Sequence, residues 1–268
     1  MSERALDVKA KLRRGEIVYS AWITFNDPGV AEVVGGAGFD IILIDLEHTS
    51  VSLENLQMHL AALKRWDPVT IVRVPDHSAS RIKRVLDIGA DGIIAPMTMD
   101  AEQTRALVAA TKYAPVGRRG YGPRRATDYF RNTDAYVATA NVATFVIPQI
   151  EHVDAADRAL EIASVLGVDA LCLGPYDMSA TAGVIGNIEH PRMVAAMDKV
   201  FAAAKAKGLA VCMGFAMPPA QLPAWTAKGA RLVIAADDLQ ALRNGVTRDL
   251  VEAKRLHEGA VAGARSDR

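Results

Sequence analysis

Cysteine is almost absent from this chain: Cys172 and Cys212 are the only two among 268 residues. Each sits inside an apolar run that reads as a strand, where a small inert core thiol is expected ahead of a disulfide or reactive pair. Net charge is absent as well. Thirty-one basic and 31 acidic residues cancel, so nothing general points to nucleic acid or to a membrane surface. No run reaches the roughly 18 apolar residues that span a bilayer. The charged start, Met1-Ser-Glu-Arg-Ala-Leu-Asp-Val-Lys9, lacks the apolar stretch of a signal peptide. These absences predict a cytoplasmic protein with neither nucleic acid nor membrane as a partner. Internal repeats and a composition shift marking a second domain are also missing. A single domain over residues 1–259 is expected, followed by a small, polar, disordered tail at 260–268.

Half of the residues are hydrophobic, and a chain of this length buries about three quarters of its unfolded surface. Apolar runs at residues 17–24, 39–46, 70–74, 92–96, 144–150, 170–173, 209–213 and 231–235 read as strands. They alternate with helical patterns such as 53–64, 78–88, 101–113, 155–166, 191–207, 218–228 and 238–257. Near-continuous apolar strands imply burial on both faces, and alternation with helices implies parallel pairing. Eight such units predict a closed (β/α)8 barrel, with an open doubly wound sheet as the competing arrangement. Residues 114–143, rich in Arg, Gly and Pro, break the rhythm and read as a functional or interface loop.

Barrel enzymes carry their chemistry at the carboxyl ends of the strands. There the second strand delivers Asp45, Glu47 and His48, the third Arg73, and the fifth Gln149 and Glu151. Asp177 follows the sixth, and Trp22 on the first is a candidate aromatic wall. Side chains alternate along a strand, so Asp45 and Glu47 share a face, as do Gln149 and Glu151. A carboxylate costs several kcal/mol to carry into a dry site unless compensated. One divalent cation such as Mg2+ or Mn2+ compensates Glu151 and Asp177 together through oxygen ligands. His48 beside Asp45 and Glu47 gains basicity if they are buried together, which suits a general base. Arg73 supplies a lone cation. Ordinary roles compete: Glu151 and Asp177 could cap the helices that follow them, His48 could be a surface residue, and Arg73 could pair internally with Glu47.

The ten lysines lie on helices or at the amino ends of strands, which disfavours a Schiff-base mechanism. No Gly-rich phosphate cradle follows the last two strands, which disfavours a phosphorylated substrate. Gly35-Gly-Ala-Gly38 ends a helix and precedes a strand, the wrong context for a dinucleotide. The arginines of Arg118-Arg-Gly-Tyr-Gly-Pro-Arg-Arg125, and Arg131 beyond, could grip a carboxylate, but a solvated or subunit-contacting loop is the preferred reading.

The ordered set Asp45-Leu-Glu-His48, Arg73, Leu86-Asp-Ile-Gly89, Arg119-Gly-Tyr-Gly122, Gln149-Ile-Glu151 and Leu173-Gly-Pro-Tyr-Asp-Met-Ser179 resembles the HpcH/HpaI aldolase family. It looks closest to the family's 4-hydroxy-2-oxo-heptane-1,7-dioate aldolase branch. The resemblance implies a class II aldolase that uses pyruvate, or a close 2-oxo acid, with an aldehyde acceptor. It further implies a divalent metal (Mg2+, Mn2+ or Co2+) and a homo-hexamer of barrels exchanging a helix between neighbours. Carried over by position, Glu151 and Asp177 hold the metal and Gln149 contacts substrate. The Gly174-Pro175-Tyr176 turn offers backbone amides to the pyruvate carboxylate. His48 is the base, Arg73 stabilises the enolate, and Asp87 raises the basicity of the histidine, acting from a neighbouring subunit because it follows a helix. Tyr176 stands where that branch is associated with alanine, and Met213-Gly-Phe-Ala replaces a different sequence after the seventh strand. Both shape the pocket for the second substrate. His48→Ala and Arg73→Ala are each expected to lose most activity while folding normally. Two alternatives remain. A citrate-lyase-type enzyme acting on acyl-CoA needs a nucleotide groove, for which the sequence offers no clear candidate. A non-catalytic 2-oxo-acid-binding homologue has no use for the base.

Overall fold

The computed structural model describes residues 3–266. Eight strands, β1 (Val18–Ile23), β2 (Ile41–Asp45), β3 (Val69–Arg73), β4 (Gly92–Ala95), β5 (Phe145–Ile150), β6 (Ala170–Leu173), β7 (Ala210–Met213) and β8 (Ala230–Asp237), pair in chain order. All pairings are parallel, and β8 closes on β1. The barrel is therefore closed, which sets aside the open sheet. Around and across it run α1 (Glu3–Arg13), α2 (Pro28–Gly35), α3 (Leu53–Ala62), α4 (Ala79–Ile88), α5 (Ala101–Thr111), α6 (Thr133–Ala143), α7 (Val153–Asp157), α8 (Ala159–Ala163), α9 (Pro175–Thr181), α10 (Pro191–Lys207), α11 (Leu222–Lys228) and α12 (Asp238–Ser266).

Period-two alternation divides each strand between two cores. Ile42 and Ile44 of β2 pack outward with Leu56 and Leu60 of α3. Ile41 and Leu43 point inward with Ile71, Ile147, Cys172, Cys212 and Ile234, and Ala5, Val8 and Leu12 of α1 close this inner core. Cys172 and Cys212 are register partners inside the barrel, free and buried. The inward parity continues past the apolar layers to Asp45 and Arg73, which face each other at the ends of β2 and β3. An apolar barrel thus ends in a charged rim.

Local signals set the helix starts. Asp27 accepts a hydrogen bond from Gly29 N at 2.7 Å ahead of Pro28, and Ser52 forms a capping box with Asn55; both satisfy amides that the first helical turn leaves unpaired. Three features differ from the sequence reading. The 114–143 segment contains α6, whose Ala, Thr and Asn residues give little periodicity although Tyr136, Ala140 and Ala143 are buried. Helices α1 and α2 precede and follow the first strand without having been singled out. The last helix runs to Ser266, through most of the 260–268 stretch expected to be disordered. Alanines at 260, 262 and 264 favour that continuation, and residues 267–268 lie outside the described part. Among the described residues no helix is long and apolar enough to cross a membrane.

Asp91, just before β4, is buried and accepts hydrogen bonds from Thr70 N (2.9 Å) and Thr70 Oγ1 (3.2 Å). Burial pushes its carboxyl up to about 6, against the partial relief given by Thr70. A raised carboxyl binds its proton more tightly in the folded state, so stability falls as pH rises from about 4 to about 6, by about 3 kcal/mol. Asp91→Asn retains both acceptor contacts and removes the charge. The variant is expected to be the more stable form at pH 8 and to lose most of this slope, as read by chemical denaturation across pH 4–8. An unchanged slope would exclude Asp91 as its source.

Candidate active site

The charged rim is built outward from Arg73. Its Nε donates to Asp45 Oδ1 at 2.8 Å and its Nη2 to Asp45 Oδ2 at 2.7 Å. Its guanidinium also lies 4.8 Å from the Trp22 ring centroid, and Nε is 3.3 Å from Glu47 Oε2. A two-pronged, buried pair of this kind fixes the cation in one geometry. The expected internal partner Glu47 is therefore secondary, and Asp45 is the anchor. Asp45 further accepts from Glu47 N (3.0 Å) and His48 N (3.4 Å), so both its oxygens are committed to positioning the turn.

Glu47 is a poorly compensated acid. Burial raises its carboxyl to about 7, with Asp45 and Asp177 adding to the rise and Arg73 opposing it. Its Oε2 accepts no hydrogen bond from the described residues. His48 Nε2 lies 3.5 Å from that oxygen and 4.0 Å from Asp177 Oδ2. The imidazole is 53% exposed, so within one chain the condition that His48 be buried with its acids is not met.

Glu151 follows β5 and is 1% exposed. Its Oε1 accepts from Met97 N at 2.5 Å, and its Oε2 accepts from Gln149 Nε2. Burial pushes its carboxyl up to about 7; Gln149 and Met97 relieve this in part, while Glu47 and Asp177 add to it. The capping role considered for Glu151 belongs instead to His152, which caps α7. Asp177 does stand in the first turn of α9, a favourable place for an acid, with its carboxylate half-exposed toward His48. Gly174 is required where it stands: a Cβ there would lie 2.5 Å from Glu151 Oε2 and 2.7 Å from Glu151 Cβ. Of the Gly174-Pro175-Tyr176 turn, Gly174 N already donates to Ile150 O at 3.1 Å and Pro175 has no N–H. Tyr176 is left as the one free amide of the three.

Met97 was not legible as a site residue. It adopts φ 48°, a conformation side chains rarely take, and so aims its N–H at Glu151. Tyr176, 52% exposed, meets Phe215 edge-on at 5.7 Å, and Phe215 meets Trp225 at 6.5 Å. These rings stand close to Asp177 in the chain and bring together Tyr176 and the Phe215 of Met213-Gly-Phe-Ala, whereas the sequence reading put its aromatic wall at Trp22. Asp87 and the arginine-rich loop lie elsewhere than the mouth. Asp87 is in the last turn of α4, on the amino-end side of the barrel, and the Arg118–Arg131 arginines lie there too: Arg119 contacts Asp87 and Arg125 the Ile88 carbonyl. A cavity of about 550 Å³, lined by Lys64, Asp91, Arg125 and Tyr129 among others, opens on that same end and is not the active site. The buried lysines Lys9 and Lys112 donate to the Thr144 carbonyl before β5, again away from the mouth.

Oxygen donors dominate the mouth: the buried carboxylate of Glu151, the half-exposed carboxylate of Asp177, and Gln149 Oε1, which has no hydrogen-bond partner among the described residues. Among the described residues no three His, Cys, Asp or Glu side chains gather to hold a metal. Two carboxylates fit a hard divalent ion that takes its remaining ligands from water and substrate.

Comparison with known proteins agrees with this geometry. A family model described as HpcH/HpaI aldolase/citrate lyase matches residues 19–245. The chain is 43% identical over 179 residues to a 4-hydroxy-2-oxovalerate aldolase of Novosphingobium aromaticivorans, covering 66% of this chain and 68% of that one. It is 35% identical over 238 residues to a hydroxypyruvate/pyruvate aldolase of Roseobacter denitrificans, covering 88% and 92%. A crystal structure of an HpcH/HpaI aldolase/citrate lyase family protein from Burkholderia cenocepacia matches with a TM-score of 0.88 at 31% identity, over 92% of this chain and 99% of that one.

Proposed function

Because the chain belongs to the HpcH/HpaI aldolase/citrate lyase family and is a carbon–carbon lyase of the aldolase type, we propose that it is a class II aldolase. It cleaves or forms 4-hydroxy-2-oxo acids, with pyruvate or a close 2-oxo acid as the nucleophile and an aldehyde as the acceptor. The observation that carries this reading is the buried, undercompensated Glu151, whose carboxyl the neighbouring Asp177 pushes further up, at the same barrel mouth as the fixed cation of Arg73.

A divalent cation held by Glu151 and Asp177 would supply a Lewis acid to the carboxylate and keto oxygens of the 2-oxo acid. In cleavage, His48 takes the proton of the 4-hydroxyl, directly or through water. The C3–C4 bond then breaks, its electron pair passes into the enolate of pyruvate, and C4 leaves as the aldehyde. Arg73, immobilised by Asp45, holds positive charge where the enolate oxygen becomes negative, with no reorganisation needed at that moment. Protonation at C3 releases pyruvate. Gln149 positions the 2-oxo acid, the Tyr176 amide is available to its carboxylate, and the Tyr176–Phe215 wall bounds the acceptor.

Assembly completes the site. His48 stands half-exposed at the mouth, 3.5 Å from Glu47 Oε2 and 4.0 Å from Asp177 Oδ2, and Asp87 lies at the far end of its own barrel, bound to Arg119. Helix α12 presents Leu239, Leu242, Val246 and Leu250, all more than half exposed, at helical spacing. This stripe supports packing of α12 on a neighbouring subunit in a homo-hexamer, with Asp87 reaching the neighbour's His48.

The test is pyruvate release from 4-hydroxy-2-oxo acids by chelated protein, before and after addition of Mg2+, Mn2+ or Co2+. Release only with metal is the expected result. Equal release without metal would overturn the class II mechanism, and no release with any metal while oxalate still binds would make the protein a non-catalytic binder.

A further inference from the structure

Arg119 is buried without packing or charge alone accounting for it. Its side chain is fully buried, and Nη2 donates to Asp87 Oδ1 at 2.6 Å. The guanidinium lies 4.6 Å from the Tyr113 ring centroid. Its Nε and Nη1 have no acceptor among the described residues. Each unpaired buried donor costs about 1–3 kcal/mol, a penalty that an apolar side chain filling the same space would avoid.

The backbone around it is pinned. Arg118 N donates to Ala109 O at 2.6 Å and Arg119 N to Lys112 O at 2.9 Å. Gly117 permits this return, since a Cβ there would fall 2.3 Å from Lys112 O. The same loop grips the end of α4: Arg125 Nη1 donates to Ile88 O at 2.9 Å, and Ala126 N to Asp87 O at 3.2 Å. Only one oxygen of Asp87 is taken. Oδ2 receives no hydrogen bond from the described residues, and the side chain remains 19% exposed.

We propose that Arg119 is a positioning residue for the aldol reaction: it locks Asp87 so that the second carboxylate oxygen is presented to the partner subunit's His48. This rests on the functional reading above. It adds that each active site depends on an Arg119–Asp87 pair carried together on the chain that does not supply the histidine. A clamp on one oxygen restricts rotation of the carboxylate and gives the other a fixed direction, which is what a group orienting a base requires.

Hetero-oligomers made by co-expressing two differently tagged chains, then isolated through both tags, test this. Arg119→Ala alone is expected to lower kcat/KM by about 10- to 100-fold, as a small misplacement of a reacting group does. His48→Ala paired with Asp87→Asn is expected to recover about a quarter of wild-type activity, because random mixing in a symmetric assembly rebuilds that share of the sites. His48→Ala paired with Arg119→Ala should recover equally. Arg119→Ala paired with Asp87→Asn should recover nothing beyond either variant alone, since no chain then carries both members of the clamp. Arg119→Lys, which keeps the charge but not the fork, is run in the same pairings in case the alanine chain does not fold.

Recovery in the Arg119–Asp87 pairing, or full activity of both Arg119 variants, would overturn the proposal while leaving the shared site intact. Failure of the His48–Asp87 pairing to recover would overturn it differently, by removing the shared site. Wild-type aldol activity, measured alongside, would still stand on its own.

Discussion

Arg73→Lys is expected to lower kcat/KM for cleavage of a 4-hydroxy-2-oxo acid by about 10²- to 10³-fold, with the barrel still folded. The lysine keeps a positive charge for Asp45, so no buried acid is stranded. What it loses is the fork: Nε and Nη2 bind the two oxygens of Asp45 at 2.8 and 2.7 Å, and a single ammonium on a flexible stem cannot reproduce that fixed direction. The Trp22 face, 4.8 Å from the guanidinium carbon, loses its flat partner as well. Kinetics combined with thermal unfolding separate the two effects, and full activity in a normally folded Arg73→Lys protein would remove Arg73 from the mechanism. The alanine variant is the weaker experiment. The sequence alone suggested that Arg73→Ala would fold normally, but the structure pairs Arg73 with a buried aspartate. Breaking such a pair costs about 3–5 kcal/mol, so lost activity and lost stability would be confounded.

Glu151→Gln is expected to reduce metal-supported turnover by about 10³-fold, the scale of several kcal/mol of charge stabilisation. The substitution is nearly isosteric in a place where shape is restrictive, because Gly174 leaves only the room that Glu151 occupies. Its hydrogen bonds can be remade. Met97 N keeps an acceptor, and a half-turn of the Gln149 amide brings forward Oε1, which has no partner at present, to accept from the new amide. The metal-free variant should therefore be at least as stable as the parent, having lost a carboxylate that burial disfavours. A ligand at about 100 times its dissociation constant stabilises a folded protein by about 2.7 kcal/mol. Added Mn2+ should raise the unfolding temperature of the parent and leave that of Glu151→Gln nearly unchanged. An equal rise in both proteins would remove Glu151 from the ligand set.

The contrast between what was legible and what was not follows from the range of the signals. Apolar runs and their alternation marked all eight strands, because a strand buried on both faces writes its environment into its own residues. The same parity placed Asp45, Arg73, Gln149 and Glu151 at one end. Helix α6 escaped because its burial rests on Tyr136 and two alanines rather than on a repeating apolar face. Met97 escaped because what matters there is a backbone angle and an N–H, for which methionine carries no marker. The preference of Arg73 for Asp45 over Glu47 depended on register across two strands, and the exposure of His48 on what surrounds a loop. Arg119 and Asp87, separated by 32 positions, meet only because a loop folds back over the end of α4. Within-element patterns cannot carry information of that kind.

The apolar stripe of α12 bears on how the protein behaves before any substrate arrives. A chain on its own presents Leu239, Leu242, Val246 and Leu250 to water along one face of the helix, on a molecule whose formal charge sums to zero. With no net charge, such chains have no overall electrostatic repulsion to keep these faces apart. Whatever covers the stripe contributes stability that grows with its own concentration. In the proposed hexamer, dilution would act as a mild denaturant, and solubility would belong to the covered form rather than to the single chain.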